Sequence, residues 1–148
     1  MNSIEKMLAQ WRAEGVALNE GASAMQIESL ERLVGIELPE EIRSFYAAAN
    51  GMPDYQHDPR MVSMWSVERI MRERNIHEGE DEWGKFQDVA FADVLFSAWF
   101  LRLRVRENGG SAVLVELTHE ELPSLYAMFD AFLQRPGSLG LATPTPRK

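Results

Sequence analysis

The stretch GASAMQIESLERLVGIELPEEIRSFYAAANG, residues 21–51, reads as two helices with legible ends. Ser23 followed by Gln26 predicts a capping box, in which each side chain bonds the other's backbone N–H. Ile27, Leu30, Leu33 and Val34 then fall on one helical face, and Gly35 offers the left-handed residue that closes a helix. Leu38-Pro39 opens the next helix, because proline in a first turn sacrifices no hydrogen bond. Its apolar stripe is Ile42, Phe45, Tyr46 and Ala49, and Asn50-Gly51 ends it.

On the N-terminal side, Ile4, Met7, Leu8 and Trp11 make a third stripe that stops at Gly15. On the C-terminal side, Pro53 and Pro59 predict a loop over residues 52–60, then a short strand from Met61 to Trp65 and a helix capped by Ser66. Residues His77 to Lys85 read as an acidic loop, and strands follow around Val89, Phe91 and Val94 and from Trp99 to Val105. The alternation in Leu101-Arg102-Leu103-Arg104-Val105-Arg106 is that of a strand with one buried face and its arginines in water. Asn108-Gly109-Gly110 predicts a three-residue hairpin loop pairing Leu101, Leu103 and Val105 with Leu117, Val115 and Val113, and Arg102 with Glu116. Thr118 is expected to cap the approach to a last helix carrying Leu122, Leu125, Tyr126, Phe129, Phe132 and Leu133, with Glu120 and Glu121 at its positive end. The elements predict one domain of helices and strands over residues 1–139, its last helix buried against the sheet, followed by a flexible tail at residues 140–148.

Composition sets the function classes. The chain has 148 residues, a net charge of −8 and no cysteine, which excludes thiolate metal sites, disulfides and a cysteine nucleophile. The acidic balance repels phosphate backbones and favours a basic protein partner over nucleic acid. Arg102, Arg104 and Arg106 interrupt the longest apolar run well short of the ~20 residues that span a bilayer. The first residues lack the basic flank and apolar run of a secretory signal, so a cytoplasmic protein with no membrane partner is expected.

Ile27, Leu30, Glu31, Gly35, Ile36, Leu38, Pro39, Ile42, Phe45, Tyr46, Asn50 and Gly51, at their joint spacing, resemble the opening of the SUKH superfamily, which includes the fungal Smi/Knr cell-wall-assembly regulators. Phe91-Ala92-Asp93 before a hydrophobic strand, and the closing helix, are similar to one bacterial branch, so the resemblance covers Gly21 to Arg135. The chain departs from the commoner pattern at Leu95-Phe96-Ser97-Ala98, where the family carries a Gly- and Asp-rich turn. The resemblance implies an α+β fold, helices packed on a mixed or antiparallel sheet, without a catalytic site. It implies an immunity protein that binds and neutralises a polymorphic toxin, or else a regulatory or scaffold module without a toxin.

No nucleophile elbow, glycine-rich phosphate loop or helical metal-ligand spacing is present, so no catalytic, cofactor-binding or metal residues are expected and the chain is read as not an enzyme. His57-Asp58 and His77-Glu78 are His-carboxylate pairs without a third ligand. Two surface groups combine carboxylates with an aromatic ring, the pairing that steers and then anchors a basic partner. They are Asp54, Tyr55 and Asp58, and Glu78, Glu80, Asp81, Glu82 and Trp83. Trp11, Trp65 and Trp99 fall on apolar stripes or strands and are assigned to the core.

Overall fold

A computed structural model describes residues 1–144. Its helices are α1 (Ser3–Ala13), α2 (Ala24–Val34), α3 (Glu40–Ala48), α4 (Val67–Glu73) and α5 (Leu125–Gln134). Its strands are β1 (Val62–Met64), β2 (Ile76–Asp81), β3 (Gly84–Val94), β4 (Trp99–Arg106), β5 (Ser111–Val115) and β6 (Glu120–Leu122). The result is α+β, and the sheet is antiparallel throughout, in the order β1-β3-β4-β5-β6 with β2 also paired to β3.

The helix punctuation folds as the sequence dictates. Ser23 and Gln26 exchange both bonds of the capping box, and Gly35 caps α2 in the left-handed region. At the end of α3 the Asn-Gly pair does more than stop a helix. Asn50 Oδ1 accepts the Val67 N–H at 2.8 Å, its Nδ2 donates to Glu68 at 3.0 Å, and Tyr46 donates its hydroxyl to the Trp65 carbonyl at 2.9 Å. Gly51 sits at φ 67°, where a Cβ would lie 2.6 Å from the Trp65 carbonyl. The segment that marks the fold thus clamps α3 onto the junction of β1 and α4.

One face of the sheet, the inner face, carries Val89, Leu101, Leu103, Val105, Val113 and Val115 into a core shared with the helices. Trp11, Phe45, Phe129 and Phe132 pack edge-on or tilted within that core, and α5 lies against α1, α3, β5 and β6. Trp11, Trp65 and Trp99 are buried.

Four expectations are corrected. His77 to Lys85 is not a loop but β2, a two-residue turn and the start of β3, with Asp81 paired to Gly84. An edge strand polar on both faces has no alternation to read. The hairpin loop is three residues long, but it is Glu107-Asn108-Gly109, closed by Arg106 and Gly110. Leu101 therefore pairs with Val115 and Arg102 with Leu114; Leu117 is exposed, and Arg102 reaches Glu116 diagonally at 2.8 Å. A shift of two keeps every side chain on its expected face. Glu120 and Glu121 lie in β6, and Ser124, not Thr118, caps α5. Finally, the arginine stripe is not in open water: Arg102 is 4% exposed.

Of the tail expected from Gly140, residues 140–144 dock on the body. Leu141 is buried, and the Ala142 N–H donates to the Arg60 carbonyl at 3.2 Å. Residues 145–148 lie outside the described residues.

Candidate protein-binding surface

The outer face of the sheet is an ion-pair lattice. Arg104 grips Asp88 through two bonds of 2.7 and 2.8 Å and lies 4.0 Å from the Phe86 ring centroid. Arg106 bonds Asp81 at 2.7 Å, Glu121 bonds Arg104 at 3.0 Å, and Arg102 bonds both Glu116 and Asn75. The Arg106 hydrogen bond holds the Asp81 carboxyl below its ordinary range. Gly79 makes room for this layer, since a side chain there would strike the Phe86 ring. The face is held together by charge pairs that are already satisfied.

The inner face behaves differently where β2 and β3 extend past the helices. Glu78 and Glu80 pair with Gln87 and Lys85 in the register, and these residues with Gly35, Ile36 and Glu107 line a groove of about 580 Å³. Among the described residues no ion pair involves Glu78, Glu80, Glu107 or Lys85. Three carboxylates and one ammonium face solvent there without partners.

The sequence-derived candidates separate accordingly. Glu78 and Glu80 line the groove, and Glu82 and Trp83 form the hairpin turn beside it, with Trp83 64% exposed. Asp81 points to the opposite face and is engaged by Arg106. Asp54 pairs with Arg72 at 2.7 Å, and Tyr55 stands 85% exposed.

Asp58 is a correction: at 1% exposure it cannot meet a partner. Its carboxylate accepts the Trp11 Nε1–H at 2.8 Å, the backbone N–H groups of Arg60 and Val62, and Arg60 Nη1 at 3.1 Å. Arg60 also bonds Glu14 and the Phe132 carbonyl. Burial pulls the Arg60 pKa down, but Glu14 and Asp58 more than offset it and hold the guanidinium charged. Loop sequence alone did not reveal a carboxylate whose indole donor lies in α1.

The two candidate groups lie toward opposite ends of β3, whose 11 residues span roughly 33 Å at about 3.3 Å each. Glu107, Ile36 and Phe96 were missed by sequence reasoning. Glu107 is brought to the groove by the hairpin register, and Phe96 is pushed outward by backbone conformation.

The SMI1 / KNR4 family (SUKH-1) model matches residues 21–135. The chain belongs to this family. The matched span contains the clamp at Tyr46, Asn50 and Gly51, the whole sheet and α5, and leaves α1 and the residues after Arg135 outside it. No curated protein matches the chain. Membership points to an immunity-protein-like or Smi/Knr-type role, in a family that is generally non-catalytic and associated with protein interactions. Among the described residues no helix is long and apolar enough to cross a membrane, and no three His, Asp or Glu side chains are grouped to hold a metal ion.

Proposed function

We propose that this chain is a non-catalytic protein-binding domain of the immunity type, which neutralises a polymorphic toxin by seating a basic surface of it on the acidic groove. The observation that carries this reading is the contrast between the two faces of the sheet. Asp81, Asp88, Glu116 and Glu121 each hold an arginine on the outer face, whereas Glu78, Glu80 and Glu107 hold none on the inner. Solvated, unpaired like charges lining a concavity steer an oppositely charged partner and give up little on binding it. Glu82 and Trp83, in the turn between β2 and β3, add charge and an exposed aromatic ring next to the groove, Trp83 lining a separate concavity with Arg106 and Glu121. A cytoplasmic site of action, in the toxin-producing cell or its siblings, goes with this role.

Co-expression with a toxin domain encoded directly upstream, where the proposal expects one, tests it. Growth is expected to be rescued and a complex to survive gel filtration. The variant E78K/E80K/E107K is expected to lose both while keeping the fold, and rescue by that variant at full strength contradicts the groove. Family membership equally supports a regulatory or scaffold module without a toxin, and a gene that stands apart from any toxin gene favours that second reading.

A further inference from the structure

A second concavity lies toward the other end of β3. It encloses about 260 Å³ and is rimmed by Tyr55, His57 and Phe96 over a floor of Ser63, Arg69 and Asp93. That volume is below the roughly 300–1,000 Å³ of small-molecule pockets, so it suits one side chain rather than a free ligand.

The rim is built from strained backbone. Leu95, Phe96 and Ser97 are consecutive left-handed residues at φ 52°, 56° and 67°, and Tyr55 (φ 65°) and Met61 (φ 69°) repeat that conformation on the facing loop. A side chain in this region crowds the following carbonyl, a cost that glycine avoids. Such angles persist where the surroundings enforce them and cluster at binding sites. Here Asp93 Oδ1 accepts the Ser97 N–H at 3.1 Å, and the Leu95 N–H donates to the Met61 carbonyl at 3.0 Å. The enforced turn leaves Phe96 73% exposed, edge-on to His57 at 5.2 Å. With Tyr55 and Leu95, also exposed, it forms an apolar patch of the kind that marks a protein contact.

The floor specifies what enters. Ser63 is 5% exposed, and its hydroxyl has no hydrogen-bond partner among the described residues. The charges beside it are already matched. Asp93 accepts Trp65 Nε1–H at 2.7 Å and pairs with Arg69 at 3.2 Å, and the Arg69 guanidinium lies 4.7 Å from the Trp65 ring centroid. A charged guest meets no free counter-charge, and a purely apolar one leaves the serine unpaired. An aromatic ring with one hydroxyl satisfies both conditions, since phenol and serine each donate and accept.

We propose that this pocket receives a tyrosine side chain of a partner protein, its ring between Tyr55, His57 and Phe96 and its phenol bonded to Ser63 Oγ. The inference rests on the reading of the chain as a protein-binding domain, but not on the toxin or on the acidic groove.

Titration of the full chain with p-cresol, toluene and 3-methylindole, followed by amide chemical shifts, tests it without any partner protein. Saturable shifts are expected at Tyr55, His57, Ser63, Phe96 and Ser97, with toluene bound roughly two- to tenfold more weakly than p-cresol. Ser63→Ala is expected to abolish that preference and keep a dispersed spectrum. Phe96→Ala, on the exposed rim, is expected to weaken p-cresol about fivefold or more. No saturable shift at these residues, a p-cresol preference that survives in S63A, unchanged affinity in F96A, or tighter binding of 3-methylindole each overturns the tyrosine assignment. Such a failure leaves the groove standing, and failure of co-expression rescue leaves this pocket standing.

Discussion

At the scale of single residues, the stability of this domain is concentrated where backbone and buried polar groups meet. Gly51→Ala places a Cβ against the Trp65 carbonyl at a left-handed position, and a loss of at least about 2 kcal/mol is expected in urea unfolding. Asp58→Ala orphans Trp11 Nε1, two backbone N–H groups and part of the Arg60 charge, so about 3–5 kcal/mol is expected from the same measurement. Burial pushes the Tyr46 hydroxyl well above the ordinary phenol range. The folded state therefore holds that proton more tightly than the unfolded state. Its contribution is whole below about pH 10 and is lost as pH rises beyond it. Stability between about pH 9 and pH 11 is thus expected to fall more steeply for the wild type than for Tyr46→Phe. Gly51 and Tyr46 were legible from sequence as punctuation and stripe. Asp58 was not, because its indole donor Trp11, in α1, is distant in the chain.

At the scale of elements, the three N-terminal helices were read accurately, the start of α5 and the strands less so, for a physical reason. The stripes and caps of α1, α2 and α3 are local signals, complete within each segment. β2 has none, since its residues His77, Glu78 and Glu80 are exposed whichever face they occupy and only pairing with β3 defines it. The hairpin between β4 and β5 shows the same limit: its loop length was legible, while its closing pair depended on Gly109 taking φ 93°. The arginine stripe was placed on the correct face and given the wrong environment. Water was expected, but Asp81, Asp88 and Glu121 converge on it from β2, β3 and β6, and Glu116 from the connection after β5. Arg104→Ala is expected to cost about 2–4 kcal/mol, because it leaves the buried Asp88 without its fork of two bonds. Arg104→Lys is expected to recover only part of that loss, since an ammonium cannot reproduce the bidentate geometry. The turn at Leu95 to Ala98, where the sequence departs from the commoner family pattern, keeps left-handed angles with Leu, Phe and Ser in place of glycine, and so presents an aromatic ring to solvent.

At the scale of the whole molecule, the chain carries a net charge of −8, and the two faces of its sheet use their carboxylates differently. The outer face spends its carboxylates on arginines, and the inner groove leaves Glu78, Glu80 and Glu107 free to act at a distance. Composition alone favoured a basic partner, but it did not say which of 23 acidic residues were available to one. The sheet register decided that. Association through this groove is expected to slow as salt shortens the range of the field to about 8 Å at physiological strength. The measurement that bears most directly on the account is the affinity of the chain for a toxin domain encoded beside its gene, the partner the proposal expects, compared with that of E78K/E80K/E107K at low and high salt. The groove reading expects the variant to bind at least about a hundredfold more weakly at low salt, with the gap narrowing as salt rises. Equal affinity of a folded variant at low salt would contradict it.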